Sequence, residues 1–425
     1  MKNDDLNESK VMLWWLNYIN KKNSNPINFS LKNVILVAEK LNILKTSAYV
    51  ITITGTNGKG STAYFLENLF LKAGYRTGLY TSPHLLNYYE RIRINGKCIT
   101  QSSFHIHYFK KVEFNQIKDP LTSFEFITLS ALLIFKKMNI DIMILEVGIG
   151  GRLDATNIIS PNISIITNID FDHQNILGNT RDEIGYEKSG IFRHGIHVII
   201  GDKNIPYSVY QRANTLQVYL HRLGYEWNWV KYQSSWDFYD KYGILNNLSI
   251  PKISLCNASI ALVALRISGF SITKNIIKES VKGFFLEGRF HTVYNTPRVI
   301  LDVAHNPHSA NYLNKKLKQL SLRSKKNHNF YGIIGMLKRK DIKNTILMMS
   351  RIINVWHYAP LKNSICFSEN ILKKYLPKDS IFSTSIRSIL YYLIHTIKKT
   401  DIIVVFGSFF TVSEALFFMK NIFYH

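Results

Sequence analysis

The stretch YVITITGTNGKGSTAYFLENLFLKAG (49–74) decides the fold. It begins with a run rich in Ile, Val and Thr, which predicts a buried strand, and passes through a glycine-rich turn into a helix-like segment. This order is typical of a phosphate-binding loop, in which backbone N–H groups and the positive end of the helix face an anion. Lys59 adds a point charge suited to nucleotide phosphates. Ile53 stands where the general Walker pattern has its first glycine, so a plain glycine-rich turn stays an alternative.

Similar apolar runs recur along the chain between segments of helical length, which predicts parallel sheets with helical crossovers. In the first part of the chain these runs are YVITITG (49–55), DIMILEVG (141–148), ISIITNI (163–169) and HVIIG (197–201). In the second part they are RVILDVAH (298–305), NFYGIIGML (329–337) and DIIVVFGSF (401–409). An Asn-Thr-Pro turn signal separates the two series. We therefore predict an α/β fold: a large P-loop ATPase-like N-terminal domain with a mostly parallel sheet (1–296) and a smaller Rossmann-like α/β C-terminal domain (297–425).

The composition is that of a globular protein with more than one core. Of its 425 residues, 46% are hydrophobic and 19% are charged. No apolar run reaches the roughly 18 residues that a spanning helix needs, and the polar start MKNDDLNESK is unlike a secretory leader, so we expect a cytoplasmic protein without membrane contact. Cys98, Cys256 and Cys366 lack the paired spacing of a zinc site or a disulfide framework.

The net charge of +24 raises the question of nucleic-acid binding. The lysines are spread along the chain among many Asn, Ile, Tyr and Phe residues, as in proteins from AT-rich genomes. The sequence contains no long block of one charge sign and no nucleic-acid-binding signature. We therefore expect no nucleic-acid partner, although the positive field favours anionic substrates.

Two further segments carry candidate chemistry. LEVGIGGRLDATN (145–157) places Glu146 at the end of a predicted strand, the edge of an open α/β sheet where ligands bind. A carboxylate there suits Mg²⁺, although a solvated acid at a strand end is the alternative. NIDFDHQNILGNTRDEIGYEKSGIF (168–192) places Asp172, His173 and Lys188 near another strand end. Taken alone, that His and that Lys are typical of structural and solvated positions.

The order of these motifs resembles that of the folylpolyglutamate synthase family, relatives of the Mur peptide ligases. The resemblance spans about Asn28 to the GSFFTVSEAL segment (407–416). It rests on GTNGKGS, TSPHL with ERIRI, FEFITLSAL, LEVGIGGRLDATN, DHQNILG, EKSGIF, LEGRF and LDVAHNPHS, which occur in the family's order. The form GTNGKGS is this family's own version of the phosphate-binding loop.

The resemblance implies an ATP site in a cleft between the domains. ATP-binding positions are Thr56, Asn57, Gly58, Lys59, Gly60, Ser61, Asn257, Arg289 and Asp302. Mg²⁺ ligands, for two expected Mg²⁺ sites, are Ser82, Glu146 and His173. Lys188 matches a carbamylated lysine, in which a neutral amine captures CO₂ and becomes an anion that steadies a metal. With Lys59, Glu146 and His173 it forms the implied catalytic set, and a monovalent cation is a further expected cofactor.

The resemblance also implies a pterin-bearing substrate. The matching positions are Asn28, Phe29, Ser30, Thr122, Ser123, Phe124, Glu125, Leu153, Asp154 and Ala155. Phe124 is expected to stack on the flat heterocycle, with plain core packing as the alternative, and Asp154 to accept paired hydrogen bonds from its amino-pyrimidinone edge. Family members active on dihydropteroate often have Asp-Leu-Gly at 28–30, Gly at Ile127 and Asp at Asn175, and this chain departs from that pattern at all three places.

The implied reaction is the ATP-dependent addition of L-glutamate to 7,8-dihydropteroate and to reduced folates through an acyl phosphate, by a monomeric enzyme. Three alternatives stay open. The first is a folylpolyglutamate synthase without the dihydropteroate activity, which the departures leave possible. The second is a Mur-type cell-wall ligase, against which FEFITLSAL and GRLDATN resemble the folate branch. The third is a basic nucleic-acid-binding ATPase, which needs a coherent basic face with aromatic platforms.

Overall fold

The computed structural model describes residues 3–22, 30–116, 120–323, 328–361, 367 and 369–423. The chain divides into two compact units, one formed by Met1–His84 and Tyr88–Phe284 and the other by Leu85–Asn87 and Phe285–His425. The second unit contains both the strand that precedes Pro297 and the strand that follows it, because these two strands pair with each other.

The first unit contains most of the elements. Its helices are α1 (Asn3–Lys22), α2 (Lys32–Lys40), α3 (Lys59–Lys72), α4 (Ser102–Phe114), α5 (Ser123–Lys137), α6 (Gln174–Leu177), α7 (Arg181–Ser189), α8 (Tyr207–Thr215), α9 (Leu255–Ile267) and α10 (Lys274–Val281), with 3-10 turns at Tyr88–Arg91 and Ala155–Ile158. Its strands are β1 (Tyr49–Thr54), β2 (Thr77–Tyr80), β3 (Ile92–Ile94), β4 (Lys97–Cys98), β5 (Ile142–Glu146), β6 (Ile163–Ile166), β7 (His197–Ile200), β8 (Tyr219–Arg222), β9 (Trp227–Lys231), β10 (Ser235–Asp240) and β11 (Gly243–Ser249).

A large, mostly parallel sheet forms the centre of this unit, in the order β4-β3-β2-β5-β1-β6-β7-β8. Along this order in the sheet, every neighbouring pair from β2 to β8 is parallel. The two remaining pairs, β2 with β3 and β3 with β4, are antiparallel. The central strands are buried along almost their whole length, as expected for parallel strands covered on both faces. The sequence prediction of an α/β unit with a mostly parallel sheet is confirmed.

The register of the sheet brings three loops to one edge. Ile53 of β1 pairs with Glu146 of β5, and Thr54 pairs with Ile166 of β6. The segments that follow these strands therefore leave the sheet side by side at its carboxyl edge, where open α/β sheets bind ligands. They are the phosphate-loop segment, the loop after Glu146 and the loop after Ile166.

A second, three-stranded antiparallel sheet in the order β11-β10-β9 is absent from the sequence prediction. Trp227, Trp236 and Phe238 bury their side chains on its inner side. Arg266 of α9 donates to Asp240 and to the carbonyl oxygen of Gly243, and so ties the β10–β11 turn to α9.

The second unit is a six-stranded sheet in the order β12-β13-β17-β14-β15-β16, in which β12 is antiparallel to its neighbour and the other pairs are parallel. Its strands are β12 (His291–Asn295), β13 (Arg298–Leu301), β14 (Phe330–Ile334), β15 (Val355–Tyr358), β16 (Ile381–Phe382) and β17 (Ile402–Phe406). Its helices are α11 (Pro307–Arg323), α12 (Ile342–Met349), α13 (Glu369–Leu372), α14 (Ile386–Thr396) and α15 (Phe409–Phe423). The predicted strands at β13, β14 and β17 are confirmed.

Apolar side chains cover both faces of this second sheet. Val299 and Val405 belong to one core cluster with α14 and α15, whereas Ile300 and Val404 belong to another with α11 and α12. Across the described ranges of the chain, no helix combines the length and the apolar character needed to cross a membrane.

Candidate active site

The glycine-rich segment after β1 forms a tight turn into the N-terminus of α3. Gly55 has φ +144°, and a Cβ at this position would lie 1.8 Å from Thr167 Oγ1. Gly58 has φ +88° and caps α3, so both positions need the freedom of glycine. The first N–H groups of an α-helix have no partner within the helix, so those that follow Gly58 are donors for an anion. The Lys59 ammonium donates to the Gly55 carbonyl oxygen at 2.9 Å and lies across the turn.

The loop after β6 holds this turn in place. Thr56 N donates to Asn168 O at 3.0 Å, and Asn57 N donates to Asn168 Oδ1 at 2.9 Å. The Thr56 hydroxyl accepts from Asp170 N and lies 2.9 Å from Asp170 O. The turn is thus built from two loops of the sheet edge, and the segment 168–170 is part of its frame.

Asn257 also lies against the turn. It is near the start of α9, and a Cβ on Gly58 would come within 2.5 Å of Asn257 Oδ1 and 2.7 Å of its Nδ2. The structure therefore brings Asn257 to the phosphate loop, although the two are far apart in the sequence. An amide here can donate to a nucleotide and accept from it.

Glu146 ends β5 with a buried carboxylate directed toward the first turn of α3. Its side chain is 5% exposed, and both carboxylate oxygens lie 3.5 Å from the position of a Cβ on Gly60. Glu146 Oε2 also accepts a hydrogen bond from Ser82 N at 3.1 Å. A buried carboxylate beside the phosphate loop suits Mg²⁺, which takes few protein oxygens and keeps positions for water and phosphate. The Glu146 carboxylate therefore fits the ion.

His173 and Lys188 occupy the neighbouring loop and helix. His173 is in the left-handed region, with φ +52°, and directly precedes α6 as its N-cap, while its backbone N donates to Asp172 Oδ1 at 2.9 Å. Lys188, in α7, is 3% exposed. Burial and the charge of Lys59 lower the pKa of Lys188 to about 7, and the charge of Asp172 opposes this.

Side chains supply few ligands for the predicted Mg²⁺ site. Among the described residues, no three His, Cys, Asp or Glu side chains converge in a way that could hold a metal ion. Glu146 and His173 with the hydroxyl of Ser82 would thus need oxygens from water and phosphate to complete an octahedral Mg²⁺.

The start of α5 is shaped by a capping box. Thr122 Oγ1 accepts from Glu125 N at 3.2 Å, and Thr122 N donates to Glu125 Oε2 at 2.7 Å. Thr122 and Glu125, both predicted substrate residues, therefore stabilise the N-terminus of α5. Burial raises the pKa of the Glu125 carboxyl. Ser123 and Phe124 follow in the first turn and are half-buried.

Phe124 packs closely on the loop after Glu146. A Cβ on Gly148 would lie 2.7 Å from Phe124 Cζ, so only glycine permits this approach. The Phe124 ring also lies 5.9 Å from the ring of Tyr80, centroid to centroid, with a tilt of 46°. Because it is only half-buried, Phe124 keeps part of its surface for another flat ring.

Asp154 is the central acceptor of that loop. Its Oδ1 accepts from Thr156 N at 3.0 Å and from Thr156 Oγ1 at 2.7 Å, and its Oδ2 accepts from Gly148 N at 2.9 Å and from Ile149 N at 3.1 Å. Burial raises the pKa of Asp154, and these four hydrogen bonds oppose the rise. A carboxylate offers about four acceptor positions. The expected paired hydrogen bonds to a pterin edge do not fit this arrangement, because the loop already uses these positions.

The other predicted substrate positions are placed as follows. Leu153 is half-buried and Ala155 is buried beside Asp154, Ser30 is exposed just before α2, and Asn28 and Phe29 lie outside the described residues. The loop is fixed to α7, since Arg152 N donates to Glu187 O at 2.8 Å and Arg152 Nη2 lies 2.8 Å from Glu187 Oε1.

Arg289 and Asp302 belong to the second unit. Asp302 follows β13, and its carboxylate accepts from Phe290 N at 2.8 Å and from Ala304 N at 2.9 Å. Burial raises the pKa of Asp302, while the charge of Arg289 opposes this. The Arg289 guanidinium lies 5.1 Å from the centroid of the Phe409 ring. The two predicted nucleotide contacts are therefore neighbours within that unit.

Comparison with known proteins assigns the family. Residues 53–242 match the Mur ligase middle domain, and residues 288–409 match the Mur ligase glutamate ligase domain. The dihydrofolate synthase/folylpolyglutamate synthase of Buchnera aphidicola subsp. Schizaphis graminum is 44% identical over 404 residues, which cover 94% of this chain and 95% of that protein. The chain belongs to the dihydrofolate synthase/folylpolyglutamate synthase family.

Two solved structures of the family show the same fold. One is E. coli FolC in complex with DHPP and ADP, with a TM-score of 0.92 and 38% identity over 97% of this chain and 98% of that one. The other is a bifunctional folylpolyglutamate synthase/dihydrofolate synthase with Mn, AMPPNP and L-glutamate bound, with a TM-score of 0.89 and 36% identity over 96% of this chain and 97% of that one. The predicted resemblance and fold class are confirmed.

The departures from the common motifs of this family fall in different environments. Ile127 belongs to α5 and is 3% exposed, so its side chain packs into the core of the first unit. Asn175 is exposed in α6. Neither residue belongs to the frame of the phosphate loop.

Sequence reasoning missed the residues that build the frame of the site in this family member. Thr167, Asn168 and Asp170 contact the phosphate loop, whereas the sequence pattern predicts only a strand and its turn at these positions. The available signal was their position, since polar residues that directly follow a central parallel strand lie at the same sheet edge as the glycine-rich loop.

Proposed function

We propose that this chain adds L-glutamate to dihydropteroate, making dihydrofolate, and to reduced folates, making polyglutamates, with ATP as the energy source. The observation that carries this proposal is the convergence, at one sheet edge, of the phosphate loop, the Glu146 carboxylate and the buried Lys188 beside the loop of Asp154, on which Phe124 of α5 packs. The family to which the chain belongs consists of ATP-dependent ligases named for these two reactions.

The proposed reaction proceeds by acyl activation. An oxygen of the substrate carboxylate attacks the γ-phosphorus of ATP and ADP leaves, which gives an acyl phosphate. The amine of glutamate then attacks the acyl carbon, loses a proton and expels inorganic phosphate. The N–H groups at the start of α3 and the Lys59 ammonium oppose the negative charge that moves between the phosphates. A site that excludes water protects the acyl phosphate from hydrolysis.

Glu146, His173 and the hydroxyl of Ser82 would hold Mg²⁺, which, when bound, offsets phosphate charge and orients the γ-phosphate. This assignment is supported by the burial of Glu146 and by its direction toward Gly60. A second Mg²⁺ and a monovalent cation stay predictions. ATP and a divalent metal are the cofactors of this reaction, consistent with the AMPPNP and Mn of the related structure.

Lys188 is proposed to act as a carbamate. Its amine is buried and lies close enough to Lys59 for the two positive charges to repel, which lowers the pKa of Lys188 to about 7. A large share of the amine is therefore neutral near neutral pH, and only the neutral amine adds to CO₂. The resulting carbamate replaces a repulsion with Lys59 by an attraction and presents oxygens that can steady a metal.

The substrates are small molecules, and we further propose that Asn257, Arg289 and Asp302 contact the nucleotide. For Asn257 the support is its contact with Gly58, and for Arg289 and Asp302 it is the matching LEGRF and LDVAHNPHS motifs. A monomeric state, a cytoplasmic location, the absence of a nucleic-acid partner and a two-domain division near Pro297 stay predictions.

A folylpolyglutamate synthase that does not use dihydropteroate is the second candidate. The departures at Asn28, Phe29, Ser30 and Ile127 favour it, because the first three are themselves predicted pterin positions and Ile127 follows the predicted positions 122–125 closely in the sequence. Against it stands the Buchnera relative named for both activities, which matches nearly the whole chain. The same breadth of match argues against a cell-wall ligase.

Purified protein incubated with ATP and L-glutamate tests the proposal. One reaction receives 7,8-dihydropteroate, a second receives tetrahydrofolate, and the glutamyl product is identified by chromatography and mass spectrometry. Product in both reactions supports the proposed function. Product with tetrahydrofolate alone supports the second candidate, and no product in either contradicts both.

A further inference from the structure

Arg181 and Asp202 form hydrogen bonds with the backbone C=O and N–H groups of a single residue, Ile169, in the loop after β6. Arg181 Nε donates to Ile169 O at 3.0 Å, and Ile169 N donates to Asp202 Oδ2 at 3.0 Å. Arg181 Nη2 closes the ring, since it donates to Asp202 Oδ2 at 2.8 Å and also to Asn204 O at 2.8 Å. The first residue of α7 and the residue two positions after β7 are thus joined through the Ile169 peptide groups.

Ile169 lies between the two residues that frame the phosphate loop. Asn168 accepts from the backbone N–H groups of Thr56 and Asn57, and Asp170 exchanges hydrogen bonds with Thr56. The Ile169 side chain is buried, so its core packing anchors the residue, but the direction of its peptide groups is set by Arg181 and Asp202. A rotation of these peptide groups would displace Asn168 and Asp170 together.

We propose that Arg181 and Asp202 are positioning residues for nucleotide binding, which act through Ile169 on the loop 168–170 and so on the phosphate loop. The proposal rests on the proposed function, because it assigns ATP to that loop. The pair is partly open to solvent, with side chains 33% and 16% exposed. An ion pair of this exposure contributes little to global stability, so its loss is expected to affect the site more than the fold.

Arg181→Gln and Asp202→Asn test the proposal through the Kd for ADP with Mg²⁺, measured by calorimetry without any turnover. We expect the Kd to rise between about 10-fold and about 100-fold, by analogy with the loss of residues that orient metal ligands. Arg181→Lys keeps the charge but lacks the planar fork, so an intermediate rise is expected. The double variant should resemble the weaker-binding single variant, because both changes break the same connection.

Arg222→Gln is the matched control. It breaks the ion pair between Arg222 and Glu226, whose two side chains are 27% and 33% exposed. This pair lies in the same unit but outside the 168–170 loop. Its Tm should change about as much as that of the Arg181 and Asp202 variants, while its Kd for ADP stays at the unmutated value. The KM for dihydropteroate should be unchanged in all of these variants.

Unchanged ADP affinity in Arg181→Gln or in Asp202→Asn overturns the proposal, and so does an equal loss of affinity in Arg222→Gln. If Arg181→Gln does not fold, the Kd values for ADP of Arg181→Lys and Asp202→Asn are compared with that of Arg222→Gln instead. A chain that binds ADP but forms no glutamyl product refutes the proposed function, and the affinity comparison among the variants still decides on the positioning residues.

Discussion

Replacing Asp154 by Asn distinguishes a positioning role from direct substrate recognition. The change keeps the shape of the side chain but turns one of its two acceptor oxygens into an NH₂ group. Each oxygen now accepts two hydrogen bonds, one pair from Thr156 and the other from the peptide N–H groups of Gly148 and Ile149. If the NH₂ group turns toward Gly148 and Ile149, both of their N–H groups lose their acceptor; if it turns toward Thr156, the hydroxyl can accept from it and only the Thr156 N–H loses its acceptor.

The magnitude follows from the contacts. A buried donor left without its acceptor costs about 1–3 kcal/mol, and the hydrogen bonds that remain go to a neutral acceptor, while removal of the buried charge returns part of this loss, so we expect the free energy of unfolding to fall by about 1–3 kcal/mol. The loop 148–157 also carries the surface on which Phe124 packs. Its disturbance should therefore raise the KM for dihydropteroate and leave the Kd for ATP near the unmutated value.

Urea denaturation and steady-state kinetics measure the two effects. Asp141→Asn is the control, because Asp141 directly precedes β5, accepts a hydrogen bond from Arg76 N at 2.8 Å and is far from the carboxyl edge of the strand. If Asp154→Asn raises the KM for dihydropteroate without any loss of stability, Asp154 recognises the pterin directly. If it changes neither quantity, the loop is not part of the substrate site.

Three further predictions concern the nucleotide side of the site. Lys59→Ala should abolish ligation and raise the Kd for ATP measured by calorimetry, because a point charge at the phosphates is lost; turnover at the unmutated rate would remove the loop assignment. Glu146→Gln and His173→Ala should each raise the Mg²⁺ concentration that gives half-maximal activity, and an unchanged Mg²⁺ titration in both variants would exclude them as ligands. Activity that depends on Lys188 should be lost as pH falls below about 7, because the protonated amine cannot add to CO₂, and it should also fall when CO₂ and bicarbonate are stripped from the buffer. Lys188→Arg should be inactive, and an active Arg variant would contradict the carbamate.

The parallel sheets could be predicted because their strands are buried on both faces. YVITIT and IIVVF are runs of Ile, Val and other β-forming residues without charges, and turn residues mark their ends. The three-stranded sheet of β9 to β11 was missed because its strands mix Trp and Phe with Asn, Asp and Lys, and because only part of each strand is buried. Such a pattern depends on the helix that it packs against, which the sequence does not reveal.

Some features of the site could likewise be predicted from the sequence, and others could not. Glu146 could be placed at a strand end from the sequence, and the structure confirms that β5 ends there. The hydrogen bonds of Asp154 could not be predicted, because they depend on how the peptide groups of Gly148 and Ile149 turn back toward it. The link from Arg181 through Ile169 to Asp202 joins three separate elements and likewise exists only in the folded chain.

The most direct test of the central claim is the transfer of oxygen-18 from the substrate carboxylate to inorganic phosphate. Dihydropteroate labelled in its carboxylate oxygens is incubated with ATP, L-glutamate and Mg²⁺, and the phosphate and the product are analysed by mass spectrometry. We predict that each glutamyl product is accompanied by one phosphate that carries one labelled oxygen, because the acyl phosphate joins that oxygen to phosphorus before the amine displaces it. Unlabelled phosphate, or phosphate release without a glutamyl product, would contradict the account.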